Sequence, residues 1–327
     1  MLSCVAIVFI LFCSCLIQLY INSTYLISKE IADKKAIFET DYIYEYTPFG
    51  TTSKTTKLKN EPTVVFKENY PKLIGTSSVY PLYSSVFEAL YENAEDKIQG
   101  YLEISADEYA YKRLTDKKID VVFTFEPPSK YENIAKEKGV KLKFVPIAKD
   151  AFVFFVNSNN LVNDLSVKNI QDIYSGKVKN WSALGGKDSD ILAFQQYEGR
   201  DSQTFMIVNV MKKIKMKKPL EEKYENDHGI MNLNADYRNA DEAIGYTFRY
   251  YLTHELDKND TKILNIDGIA PSVENIQNDT YPFIKTLYAV YVTDASENSK
   301  KLVDWITSMQ GQDLIKDVGY VPILDVK

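Results

Sequence analysis

Short apolar runs alternate with amphipathic helical stretches from about residue 71 onward, which predicts an α/β fold with a mixed, mostly parallel sheet. One run, Ala151 to Val156, is apolar throughout, as a strand covered on both faces requires. With 327 residues, 45% of them hydrophobic, and no low-complexity tract, the chain is long enough for two domains with substantial cores.

The chain opens on Leu2 to Ile21, a stretch without charged side chains that has the length of a bilayer-spanning helix. A retained transmembrane anchor over residues 1–28 is expected, with a cleaved secretory signal or a lipoprotein signal cut before Cys15 as alternatives. Met1 to Ser3 hold no Lys or Arg, whereas Lys29, Lys34 and Lys35 follow the run, a charge order opposite to that of an ordinary export signal. All three cysteines, Cys4, Cys13 and Cys15, lie in this segment, so the rest of the chain forms no disulfide. Residues 29–70 are polar and irregular; Thr51 to Thr56 reads as a flexible tether, and Tyr42 to Phe49 can pack on the domain.

Lys72 to Ile74 reads as a strand entering Gly75-Thr76-Ser77-Ser78, followed by a helix over Tyr80 to Tyr91 with Pro81 in its first turn. Further strands are expected at Ile119 to Phe125, Lys141 to Val145, Ala151 to Val156, Ile191 to Phe194, Ile244 to Phe248 and Leu287 to Val292. Ser166 can cap a helix over Val167 to Tyr174 that Ser175-Gly176 ends, with Trp181 packing after the turn. A last helix is expected over Ser299 to Gln310.

Charge and side-chain chemistry exclude several functions. A net charge of −6, with lysines scattered among acids, argues against nucleic acid, which needs a basic face. Only His228 and His254 are present, too little for a zinc site or a His-based catalytic centre. Ser202 as a hydrolytic nucleophile lacks a recognisable base and lies outside any nucleophile-elbow motif. Neither a cofactor nor enzymatic activity is expected.

The stretch Gln195 to Thr204 is a polar loop between an apolar strand pattern and an apolar helix pattern running from Thr204 to Ile214. The first amides of a helix lack backbone partners, the helix dipole adds positive charge there, and Ser202 and Thr204 add hydroxyl donors. Such a loop is either an anion cradle or an ordinary capped turn.

Leu165-Ser166 through Ile173-Tyr174-Ser175-Gly176, then Asn180-Trp181 and Gly185-Gly186, resembles the helix-and-turn signature of bacterial PstS-type phosphate-binding proteins. The resemblance runs from about Pro71 to Leu324. It takes in Gly75-Thr76-Ser77-Ser78 with Pro81-Leu82, the strand Ala151 to Asn157, Ile244-Gly245-Tyr246, Tyr281-Pro282-Phe283, Gln310-Gly311-Gln312 and Gly319-Tyr320-Val321-Pro322. It implies a two-lobed type 2 periplasmic-binding fold, with residues 71–152 plus 288–327 as one lobe and 153–287 as the other. Its implied role is extracytoplasmic: capture of phosphate or a similar small anion by lobe closure, and delivery to an ABC transporter permease.

The resemblance also implies ligand-binding residues. The first cradle is Thr76, Ser77 and Ser78, Ser105 matches a second-loop serine, and Glu126 falls near an acidic acceptor. In the second cradle the family usually has an arginine at the place of Gln196 and a Ser-Gly pair at the places of Arg200 and Asp201, keeping Ser or Thr at Ser202. Here the arginine stands four residues along, at Arg200, and Asp201 brings a carboxylate. At roughly 4 Å and an effective dielectric near 20, one misplaced charge costs about 4 kcal/mol against a bound anion. The alternative is therefore a membrane-anchored sensory or interaction domain of the same fold that has lost or changed its anion binding.

Overall fold

The computed structural model describes residues 42–125, 131–198, 200–226, 229–234, 237–254 and 260–324. Leu2 to Ile21 with its cysteines, Glu126 and His228 lie outside the described residues. No helix among the described residues is long and apolar enough to cross a membrane.

Strand β1 (Leu73–Gly75) leads to helix α1 (Tyr80–Leu90), β2 (Leu102–Ile104) to α2 (Asp107–Thr115), and β3 (Val121–Thr124) to α3 (Glu132–Glu137). Then come β4 (Leu142–Asn157), β5 (Asp164–Leu165), α4 (Val167–Tyr174), β6 (Leu192–Ala193), α5 (Asp201–Phe205), the hairpin β7 (Glu221–Asn226) and β8 (Gly229–Asn234), and β9 (Ala243–Phe248). The chain continues through α6 (Arg249–His254), β10 (Thr261–Ile263), β11 (Asn265–Ile266), α7 (Val273–Gln277), β12 (Ile284–Val292), α8 (Glu297–Ile306), α9 (Met309–Val318) and β13 (Val321–Pro322).

These elements form two compact units. Among the described residues the first comprises 42–151, 249–254 and 271–324; the second comprises 152–248 and 260–270. The fold is mixed α/β. Parallel pairing runs through β2–β1–β3 in the first unit and β6–β9 in the second, and in both it places a strand end at the start of a loop. Antiparallel pairing enters where β12, β13, β9 and β10 meet β4.

Strand β4 joins two runs, Lys141 to Val145 and Ala151 to Val156, expected as separate strands. Pro146 has no N–H to give the ladder, and a bulge absorbs it: Leu287 pairs with Ala148 and Tyr288 with Pro146. From Ala151 to Val156 every side chain is buried, as the uninterrupted apolar run predicts. Phe152 and Phe154 lie with their rings 5.5 and 6.1 Å from that of Tyr246 on the paired β9.

In the second unit Ser166 caps α4 by accepting from Asn169 N, and Trp181 is buried with its indole N–H on Glu242 O at 2.9 Å. Two further expectations change. The single helix over Ser299 to Gln310 is two helices, because Ser308 interrupts the run and caps α9. Thr51 to Thr56 is no free tether: Thr55 is buried and bonds the Glu88 carboxylate, and Thr56 N donates to Ser85 Oγ at 3.0 Å. Ser85 and Glu88, three apart on α1, offer one polar face to the passing chain. Tyr46 and Phe49, just upstream, pack into the same core.

Candidate anion-binding loops

In the first unit the parallel register determines which residues meet. Gly75 pairs with Ile104 on one side and Phe123 on the other, so Thr76, Ser105 and Thr124 follow side by side at the same sheet edge. Ser105 N donates to Gly75 O at 2.9 Å. A side chain at Gly75 is impossible, since its Cβ would come within 2.7 Å of Phe123 O and 2.8 Å of the Tyr83 ring. Glycine therefore lets the strand end lie flat against its neighbour.

Ser77 to Val79 form a 3-10 turn that runs directly into α1. Thr76 Oγ1 and Ser78 Oγ bond each other at 2.9 Å, Ser77 is exposed, and Thr76 makes no side-chain cap. From behind, Tyr320 donates its hydroxyl to Ser78 O at 2.6 Å. The Tyr320 ring stacks on Tyr250 with centroids 4.3 Å apart. Tyr250 N in turn donates to Asp150 Oδ1 at 3.2 Å, and Ala151 N donates to the same oxygen at 2.8 Å. Burial pushes the Asp150 carboxyl up to about 7, against the opposing pull of these two amides and of the Arg249 and Lys285 cations.

Asp107, absent from the residues the resemblance implies, also stands at this edge: Thr124 Oγ1 donates to its Oδ1 at 2.6 Å. Its signal was present in Ser105-Ala106-Asp107, where an acid two residues after the matched serine opens α2. Glu126, the expected acidic acceptor, is outside the described residues.

In the second unit β6 ends at Ala193, and the chain keeps to β9 for one more bond, Phe194 N to Ile244 O at 3.0 Å. Gln195 is buried and donates from Nε2 to Lys217 O at 3.0 Å. Gln196 N donates to Tyr246 Oη at 3.2 Å, and that hydroxyl donates onward to Gln203 Oε1. One buried tyrosine on β9 thus fastens both the entry of the loop and the third residue of the helix that leaves it. Burial raises the Tyr246 hydroxyl well above its ordinary range, the bond from Gln196 N offsetting this only in part, so it stays a donor. In the sequence Ile244-Gly245-Tyr246 carries only the resemblance, and nothing local ties Tyr246 to the loop.

Arg200 and Asp201, both exposed, are the last residue before α5 and its first. The helix thus begins three residues earlier than the expected Thr204, and it continues from Met206 to Met211 in wider π-type turns. Ser202 is different in kind. It is 3% exposed, and its Oγ, buried at the helix start, has no hydrogen-bond partner among the described residues.

Residues 69–310 match the PBP superfamily domain, and the chain belongs to that superfamily. It is 28% identical over 175 residues to the phosphate-binding protein PstS of Bacillus subtilis strain 168, covering 53% of this chain and 55% of that one. It is 24% identical over 262 residues to protein SphX of Synechococcus elongatus, covering 76% of each. The chain thus spans little more than half the length of the Bacillus relative. Among solved structures, a putative phosphate ABC transporter substrate-binding protein of Clostridium perfringens with bound phosphate superposes with a TM-score of 0.54 at 22% identity, over 78% of this chain and all of that one. An ABC-type phosphate transport receptor of Vibrio cholerae superposes with the same score at 18% identity, over 77% and 99%. The resemblance to PstS-type phosphate-binding proteins is borne out.

Proposed function

We propose that this chain is an extracytoplasmic solute-binding protein that captures phosphate or a related anion for an ABC transporter. The observation that carries the reading is Ser202. A buried hydroxyl without a partner costs about 1–3 kcal/mol, and at a helix start, where free amides also point, a bound oxyanion removes that cost. The hydroxyls of Thr76, Ser77, Ser78 and Ser105 supply a second set of donors at the sheet edge of the first unit. The names of the relatives above support phosphate as the ligand and an ABC permease as the partner. Anchoring by the N-terminal apolar run belongs to the same proposal.

A second reading, a sensory or interaction domain of this fold without anion binding, draws on Asp201, an exposed carboxylate next to Ser202. Titration with phosphate, followed by calorimetry or by the fluorescence of Trp181 and Trp305, separates the two. The first reading expects saturable binding that Ser202→Ala weakens about tenfold or more, the loss of one hydrogen bond to a charged group. No saturable response to phosphate, sulfate or a phosphonate overturns the first.

A further inference from the structure

The strongest unassigned feature lies in the second unit, immediately after the helix that starts at Asp201. Lys212, Lys213, Lys215, Lys217 and Lys218 fall within seven residues, with no acid among them, in a chain whose net charge is −6. Elsewhere among the described residues Lys54, Lys59, Lys138, Lys168 and Lys187 each hold a carboxylate. Lys212, Lys213 and Lys215 are exposed and form no ion pair among the described residues.

The segment is held in place. Lys212 ends the helix with a positive φ of 56°. Lys217 N then donates to Tyr174 O at 2.8 Å, and Lys217 O accepts from Gln195. The stem of Lys217 lies against Gly176, whose Cβ would sit 3.6 Å from it. Desolvation, and after it the neighbouring Lys179, lower the Lys217 pKa, Asp190 opposing. One turn before Lys212, Ile207 and Val208 are 43% and 60% exposed. A fixed basic segment beside two exposed aliphatic side chains has the composition of a surface that rests on anionic lipid, cations at the phosphates and aliphatics among the headgroups.

We infer that residues 207–218 form a docking surface for an anionic lipid bilayer. The occupant follows from charge complementarity and from the apolar partners next to the lysines. An anchor at Leu2 to Ile21 would present this surface to a bilayer at high effective concentration, so weak individual contacts suffice.

The test uses the full chain reconstituted into vesicles. Cys4, Cys13 and Cys15 are replaced by Ser, and Val208→Cys carries an environment-sensitive fluorophore. On phosphatidylcholine vesicles containing about one-third phosphatidylglycerol the probe should report an apolar environment, and on phosphatidylcholine alone it should not. High salt should reverse the signal. Combined Lys212→Gln, Lys213→Gln and Lys215→Gln should cut the docked fraction about tenfold or more, whereas the matching Arg variants should retain it. These side chains are exposed, so folding is not at stake. Equal signals on both vesicle types, or an unchanged signal in the Gln variant, overturn the inference. A Gln variant that slows phosphate association while the probe signal stays constant assigns the lysines to attraction of the small anion and overturns it equally. The probe reads membrane contact whether or not phosphate binds, so the two proposals fail separately.

Discussion

The loops at Thr76–Ser78 and at Gln196–Ser202 both join a strand to a helix, and their hydroxyls are in opposite states. In the first, Thr76 and Ser78 share one bond at a partly exposed edge, so one hydroxyl donates to the other and water reaches both. In the second, the Ser202 hydroxyl is buried and lacks a partner among the described residues. On the proposed function, the first loop would exchange one set of bonds for another when an anion arrives. In the second, an anion would complete a bond that no described residue makes, so a contact of the same chemistry would contribute more affinity. The supports differ as well. Behind Ser78 stand the stacked rings of Tyr320 and Tyr250 and the buried Asp150, whereas Gln196 and Gln203 share the single hydroxyl of Tyr246.

The largest effect expected from breaking this contrast lies in the support of the first loop. Asp150 holds its proton to about pH 7 in the folded protein and to about 4 when unfolded. Between these values the unfolded chain binds fewer protons, so stability falls as pH rises, by about 4 kcal/mol in all, and the loss is complete above pH 7. Asp150→Asn keeps an oxygen for Ala151 N and Tyr250 N and has no charge to bury. Urea unfolding at a series of pH values should show the decline in the parent protein and a flatter profile in the variant. A decline of the same size in both assigns it to other groups.

The support of the second loop comes next. Tyr246→Phe keeps the ring packed against Phe152 and Phe154 and strands two groups, Gln196 N and Gln203 Oε1. A loss of about 2–3 kcal/mol in stability is expected, with a parallel loss of phosphate affinity as the loop loosens. A variant that loses affinity without stability would show that the hydroxyl acts on the ligand and not on the loop.

The sequence revealed the strand-to-helix loops because each is written locally, as an apolar run, small polar residues and an apolar helix start. It revealed the cap at Ser166 and the buried run Ala151 to Val156 for the same reason. The supports were not legible. The bonds of Tyr246 to Gln196 and Gln203 span 50 and 43 residues, and that of Tyr320 to Ser78 spans 242; no local pattern encodes such partners. The joining of two apolar runs into β4 was hidden by Pro146, which reads as a break unless the bulge opposite β12 is known. The lead-in misled for a related reason: Thr51 to Thr56 has the composition of a tether, and only Ser85 and Glu88 on α1 give it a place to bind.

The smallest expected effect concerns charge, the other difference between the loops. Thr76 to Ser78 and the first turn of α1 contain no acid, whereas α5 opens on Asp201. That carboxylate is favourable to the helix dipole and unfavourable to an anion, and because it is exposed, water and salt reduce both terms. Asp201→Asn should therefore cost the fold only a few tenths of a kcal/mol and tighten phosphate by about 1 kcal/mol, roughly fivefold, at low salt. Calorimetric titration at low and high ionic strength checks this, since a Coulombic penalty shrinks as salt is added. Tightening that ignores salt would mean that the side chain blocks the anion by its bulk. Weaker binding would mean that Asp201 accepts a proton from the ligand, the part the resemblance gives to Glu126.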